Sequence, residues 1–266
     1  MTKIQGSEKT IELMVNCKTY PAVSKKYIET VCTGGVQTDG QFVRLYPVPF
    51  RLLDEEEQYA RWDVIRVQVY KDTKDDRPES WHLQPGTKIE KVKSITTDKR
   101  RWDWMKHTVH DSTDAMADKG VTNGCVEIVP DEFYWKPDTK KWSKSQLNVM
   151  RQGNLFVSDD DLKSLADRVP WQFRLKFKEK NTGREDDAKV LAWSLYQGLR
   201  RRLRTMDDQA ALKETADVVM KSIFNPDKTV FAIFGTHSRF GHWMISALYH
   251  VPRNVIANNE QGGSLF

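Results

Sequence analysis

The stretch Cys17–Arg51, CKTYPAVSKKYIETVCTGGVQTDGQFVRLYPVPFR, decides how the chain is read. Residues 30–36 and 41–48 are two β-branched and aromatic runs, and Thr38-Asp39-Gly40 between them has the composition of a tight turn, so the stretch reads as a hairpin. Ile11–Val15 before it and Val64–Tyr70 after it have the same character and supply flanking strands. What a hairpin core does not require is the polarity packed around it: Lys18, Tyr20, Ser24, Lys25, Lys26, Tyr27, Glu29, Arg44, Tyr46 and Arg51. Basic groups bind phosphates and aromatic rings stack on bases, so this mixture points to nucleic acid before it points to a reaction.

Working outward, Pro47 and Pro49 end the third strand, Asp54–Tyr59 suits a short acidic helix, and 72–85 reads as a polar loop. Lys88–Thr96 alternates apolar and charged residues as an edge strand does, and Arg101–Met116 is expected to be a helix with Trp102, Met105 and Val109 on one side. Between Gly120 and Arg151 a strand at Cys125–Val129 precedes a loop carrying Pro130 and Pro137. Ser158 followed by three aspartates marks a helix start, expected to run to Asp167. WQFRLKFKE, residues 171–179, is the cleanest strand, with Trp171, Phe173, Leu175 and Phe177 against a basic face. Leucines 191, 195, 199 and 203 predict an amphipathic helix over 187–206, and Leu212, Ala216, Val219 and Ile223 predict a second. Thr229–Gly235 and Trp243–Tyr249 are two apolar strands, and the last dozen residues read as frayed.

This order predicts a β-rich α+β protein of two small barrel-like or curled-sheet halves with packed helices, residues 1–152 and 153–266, the boundary near Gly153. A length of 266 residues accommodates two cores. Hydrophobic content of 39% excludes a disordered chain, while 30% charge with no apolar run of spanning length argues against a membrane protein. The N-terminus lacks the apolar core of a secretory signal and three cysteines leave an odd thiol, so a reducing, cytoplasmic setting is expected. The net charge of +5 favours polyanions where it is clustered, as at Lys25–Lys26, 99–101, 140–141 and 200–204.

The cysteines have no zinc-ligand spacing, Gly34-Gly35 is better explained by a turn or bulge than by a phosphate loop, and no Gly-x-Ser-x-Gly elbow is present, so no metal or cofactor is expected. Glu29, set among Lys25, Tyr27 and Lys26, is the candidate catalytic carboxylate, of the kind that orients water or stabilises an oxocarbenium ion at a glycosidic bond. A surface glutamate paired with Lys26 is the alternative. Asp63 and Asp103, each after a tryptophan, are secondary acid candidates or local caps. A second cluster, His237, Arg239, His242 and Trp243, sits on the loop between the last two strands, where it either grips a phosphate beside a stacking ring or simply connects a hairpin.

The segment CTGGVQTDGQFVRLYPVP resembles the strand-turn-strand signature of dual-OB-type bacterial domains, and VPWQFRLKFKE with FGTHSRFGHWMISALYHVP resembles the second half of a widespread family of uncharacterised bacterial proteins. The chain is also similar to intracellular phage-defence proteins that act on DNA, including glycosylases that excise modified bases. The resemblance brings no catalytic residue with it. It implies a DNA partner, modified phage DNA included. Two nucleic-acid readings follow: a glycosylase with Glu29 as its carboxylate, or a non-catalytic reader of single-stranded or modified nucleic acid. In either, Lys18, Lys25, Arg44, Arg51 and Arg239 hold phosphates, with His237 and His242 beside them, and Tyr20, Tyr27 or Trp243 stack. A third reading is an interaction scaffold with no nucleic-acid role, its basic clusters all solvated.

Overall fold

A computed structural model of the chain describes residues 8–21, 30–72, 75–138, 169–236 and 241–262. β1 (Glu8–Lys18) pairs antiparallel with β2 (Val31–Val36) on one side and β4 (Asp63–Tyr70) on the other. β2 pairs with β3 (Phe42–Val48), β3 runs parallel to β5 (Ser80–Leu83), and β5 returns to β4, which closes a five-stranded barrel. Leu13, Val15, Val43, Leu45, Ile65 and Val67 fill it at period two, as the alternation of β-strand side chains requires. β6 (Glu90–Ser94) is an outer strand on β4 with every side chain exposed.

The second sheet is built on β8 (Asn123–Pro137), which pairs with both β9 (Trp171–Glu179) and β11 (Lys228–Thr236). β9 continues to β10 (Glu185–Val190) and β11 to β12 (Trp243–Pro252); β10 and β12 meet through the single parallel pair Val190–Ile245. Two helices cover this curled sheet, α3 (Trp193–Arg202) and α4 (Asp208–Ile223), burying Leu195, Leu199, Leu212 and Ala216 against it. Asp207 caps α4, its Oδ1 accepting from the Ala210 N–H at 3.0 Å.

The two expected halves are thus a barrel and a curled sheet, with helices packed on the second, and the expected fold class holds. Several elements differ from expectation. The helix expected over 101–116 is two, α1 (Asp98–Met105) and α2 (Thr113–Asp118), separated where Thr108 turns its hydroxyl onto the Met105 carbonyl and β7 (Val109–His110) joins β8. The helix expected from residue 187 begins at Trp193, because 185–190 pair with β9 and Asp187 meets Arg174 across the strands at 2.9 Å. β8 runs through Pro130 and Pro137 rather than ending at Val129. Its pairing with β11 stops at Ile128, so Pro130 lies on a stretch bonded on one side only, beside a register shift, where a missing N–H is tolerated. The expected polar loop contains β5, and the expected frayed end contains α5 (Arg253–Gly262). Asp54–Tyr59 forms only a 3-10 turn, Glu55–Glu57. The helix expected from Ser158 and the boundary at Gly153 lie outside the described residues.

β1 and β4 are buried on both faces around Met14 and Val64, while Glu12, Arg66 and Gln68 further along face outward and stay partly or fully exposed. Met14 and Val64 leave the barrel and join Val36, Trp102, Met105, Cys125, Phe231, Ile233 and Tyr249 in an apolar layer between barrel and curled sheet. Backbone bonds extend the join: the Tyr20 N–H donates to the Leu191 carbonyl at 2.7 Å, and Leu191 donates to Ile245. Gly34 and Gly35 form neither a turn nor a phosphate loop; they stand mid-strand in β2 opposite the register shift between Val15 and Cys17 of β1, the bulge of the two expected alternatives. A Cβ on Gly35 would stand 2.5 Å from Leu13 Cδ1 and 2.7 Å from the Met14 carbonyl oxygen, and a backbone oxygen in a closed barrel has little room to yield. Gly35→Ala is expected to cost about 1–3 kcal/mol, the usual range for overpacking, read as a lowered midpoint in urea unfolding with an unchanged slope.

Candidate functional site

Where the open ends of the two halves face each other lies a cleft of about 820 Å³. The barrel side contributes Tyr20, Cys32, Arg44, Tyr46 and Arg77; the second sheet contributes Arg174, Arg184, residues 186–189, residues 242–244 and Ser246. Arg44, Arg77, Arg174, Arg184 and Lys189 are its cations, against Asp186 and Asp187 as its lining carboxylates.

Most of these charges are held in place by a partner. Arg77 grips Asp75 through two parallel bonds, Nε–Oδ1 at 2.7 Å and Nη2–Oδ2 at 2.6 Å, and its Nη1 donates to the Thr236 carbonyl at 3.2 Å across the cleft. Burial alone would raise the Asp75 pKa, but the hydrogen bonds and charge of Arg77 win and hold it down at about 2. Arg174 donates to Asp187 Oδ1, and Tyr134 donates to the other carboxylate oxygen at 2.6 Å. Arg184 pairs with Asp114 at 2.5 Å and stands 3.6 Å from Asp186.

Arg44 differs. It projects from β3 and is 3% exposed. Its Nη2 donates to the Thr122 carbonyl at 3.0 Å and lies 3.8 Å from Glu79, whose carboxylate also accepts from the Thr122 hydroxyl. The Asn123 amide, oriented to satisfy both neighbours, accepts from Arg44 Nε at 3.3 Å and donates to the Phe234 carbonyl. Nη1 is buried and has no hydrogen-bond partner among the described residues. A buried guanidinium N–H without an acceptor is costly, so Arg44 stands at the wall of the cleft with part of its hydrogen-bonding capacity unused.

Of the residues singled out in the sequence, Tyr20, Arg44, Tyr46, His242 and Trp243 converge on this cleft. Tyr20 is held there by its ring, 4.5 Å from that of Tyr196, and by its hydroxyl, which accepts from the Val169 N–H. Trp243 is half-buried, edge-on to Phe234. Lys18 and Arg51 do not line the cleft. Lys18 Nζ sits 3.7 Å from the Phe50 ring centroid and 5.2 Å from those of Tyr59 and Trp193, and donates to the Tyr59 carbonyl at 2.7 Å. Burial lowers its pKa to about 8 against the opposing pull of Asp63. The Arg51 guanidinium lies 6.0 Å from the Trp193 ring. Asp63 staples a turn, accepting from the Ala60 N–H and the Ser94 hydroxyl and pairing with Lys91, while Asp103 pairs with Lys106 on α1. Glu29, Lys25, Tyr27, His237 and Arg239 lie outside the described residues. Sequence reading missed Arg77, hidden in an apparently featureless loop, and Arg184, Asp186 and Asp187. The basic face of 171–179 was the one signal for Arg174.

The profile of the domain of unknown function DUF8757 matches residues 112–265. The chain belongs to this family. The profile of a second domain of unknown function, DUF8758, matches residues 9–111, so the two meet between Asp111 and Ser112. No curated protein matches the chain. Among solved structures one match is described as "Structure of murine DNA binding protein bound with ds DNA", with 8% sequence identity over 92% of this chain and 99% of that one and a TM-score of 0.33, a likeness too slight to carry an argument. No helix among the described residues is long and apolar enough to cross a membrane.

Asp75 has a depressed folded pKa, so its stabilising effect is complete above its ordinary value near 3.9 and is lost as pH falls toward about 2. Wild-type protein is expected to lose stability between about pH 4 and pH 2 more steeply than Asp75→Asn, measured by urea midpoints across that range.

Proposed function

We propose that the cleft binds DNA and receives a single nucleotide drawn out of the stack. The observation that carries this reading is Arg44: a buried guanidinium with an N–H left unsatisfied, at a cleft that both halves line. Around it stand the other groups such a ligand requires. Arg77, Arg184 and Lys189 bring hydrogen-bond donors to its wall, each already paired with an aspartate (Asp75, Asp114 and Asp138), and Tyr46 and Trp243 offer ring faces to a base. A volume of about 820 Å³ lies within the range of sites that enclose a whole small ligand. A base held there is read by its edge and its stacking, as extruded bases are.

The enzymatic form of this reading is hydrolysis of the N-glycosidic bond of a modified base, in defence against phage, with Glu29 as the carboxylate that activates water. Its support is the resemblance to defence glycosylases and the room for an extruded nucleotide. The non-catalytic form is a reader that uses the same cleft. Of the cleft carboxylates, Asp187 is already committed to Arg174 and Tyr134, and Asp186 stands 3.6 Å from Arg184.

The test is fluorescence anisotropy with single- and double-stranded oligonucleotides over a salt series, followed by mass spectrometry for free base after incubation with unmodified and modified phage DNA. Trp243→Ala is expected to weaken binding by about 1–3 kcal/mol, the value of one stacked base. Arg44→Lys, which keeps the charge beside Glu79 but removes the fork, is expected to weaken it further at low salt. Binding that is lost in neither variant, or no binding at low salt, would sink the reading. Released base that disappears in Glu29→Gln while binding persists selects the glycosylase, and binding without release selects the reader.

A further inference from the structure

The wall of the cleft is rich in cations without being positively charged. Arg77 pairs with Asp75 at 2.6 Å, Arg174 with Asp187 at 2.9 Å and Lys189 with Asp138 at 3.2 Å. Arg184 has two carboxylates, Asp114 at 2.5 Å and Asp186 at 3.6 Å, and Arg44 lies 3.8 Å from Glu79. Among the described residues, six carboxylates thus meet the five cations of the cleft, although the chain as a whole carries +5. The Cys32 thiol, also on the wall, registers the balance: burial raises its pKa, and the pulls of Arg44 and Arg77 on it are opposed by those of Asp75 and Glu79. A second cavity, of about 270 Å³ under α3 and α4, is the contrast. Arg61, from the turn before β4, and Arg202 line it, and Glu214, 3.3 Å from Arg202, is the carboxylate paired there among the described residues.

Two of the pairs in the cleft are open to a ligand. The side chains of Asp186 and Asp187 are 37% exposed, those of Arg184 and Arg174 40% and 20%. They stand where β10 and β12 part beyond their single pair, Val190–Ile245, so that residues 186–189 of one strand and 243–244 of the other line the cleft together, with the Trp243 ring beside the carboxylates. An arginine–aspartate pair sets N–H donors next to carboxylate acceptors. The edge of a base alternates donors and acceptors in the same way, and a sugar hydroxyl is both at once. A phosphate has acceptors alone and brings negative charge to a wall that already holds more carboxylates than cations.

We infer that the cleft takes the uncharged part of a nucleotide, the base with its sugar, and keeps the phosphates outside its wall. This rests on the reading of the cleft as the nucleotide site and specifies which part of the nucleotide enters. The base stacks on Trp243 or Tyr46, its edge meets the Arg174–Asp187 and Arg184–Asp186 pairs, and the aspartates repel whatever phosphate follows it in.

The probes are the 2′-deoxynucleosides and their 5′-monophosphates, titrated into the full chain by ligand-observed NMR at about pH 8, above the ordinary titration range of imidazole. At low salt a nucleoside is expected to bind saturably, and its monophosphate about three- to fivefold more weakly, a gap that narrows as salt screens the repulsion. Trp243→Ala is expected to weaken both ligands alike. Asp186→Asn keeps an oxygen for the Asp187 N–H, which Asp186 accepts at 2.7 Å, and removes the extra negative charge; it is expected to close most of the gap. A monophosphate that binds more tightly than its nucleoside, a gap that ignores both salt and Asp186→Asn, or no nucleoside binding at all would each overturn the inference. Oligonucleotide binding measured alongside separates the two claims: oligonucleotides bound in any of those cases leave the DNA reading standing alone, while nucleosides bound in the expected order without oligonucleotide binding uphold the uncharged ligand and remove DNA.

Discussion

The apolar layer between the barrel and the curled sheet is the constraint on which the rest of the molecule depends. One end of β1 and of β4 is buried on both faces because it serves two cores at once: Leu13, Val15 and Ile65 inside the barrel, Met14 and Val64 against Phe231, Ile233 and Tyr249 of the other half. Trp193, at the start of α3, packs into the barrel core edge-on to Phe50. Burial of this kind, about 25 cal/mol per Å² of apolar surface, is non-directional, so it needs the backbone bonds from Tyr20 to Leu191 and the side-chain bonds of Arg44 and Arg77 to set one orientation. The cleft is what remains at the margin of that join.

Its electrostatics follow from the same geometry. A buried charge is tolerated when paired and hydrogen-bonded, and most of the cleft arginines are. Asp75, Asp187 and Asp114 hold Arg77, Arg174 and Arg184 in fixed directions, with their net charge largely cancelled. Arg44 and Arg61 stand apart because each keeps buried N–H groups without an acceptor. Both sit at the join between the halves, and each lines one of the two cavities. Lys18 shows the contrasting solution, a cation whose field is met by the faces of three rings and one carbonyl.

Local pattern was legible where an element's neighbours agree with it. The alternation of 171–179, the hairpin around Asp39-Gly40 and the leucine spacing of 195–199 all survive in the structure, since period two and period 3.6 are properties of the chain itself. The failures share a cause. Residues 187–190 carry helical spacing but are drawn into β10 by pairing with β9, and 109–110 interrupt an apparent helix by pairing with β8. Pro130 read as a strand end because the sequence does not disclose that one side of β8 there is unpaired.

The candidate site divides along the same line. The amino-acid sequence by itself determined that basic and aromatic residues are concentrated at 17–51 and 236–243, that the chain is rich in strands, and that it forms two cores. Only the tertiary structure decided that Arg44, Tyr20, His242 and Trp243 share one cleft with Arg77 and Arg174, that Lys18 turns instead into an aromatic cage, and that Arg61 reaches across to the wall of a second cavity. The physical reason is range. Propensity and periodicity act over a few residues, whereas the cleft is assembled by strand register and apolar burial between segments as far apart as Arg44 and Thr122 or Arg77 and Thr236.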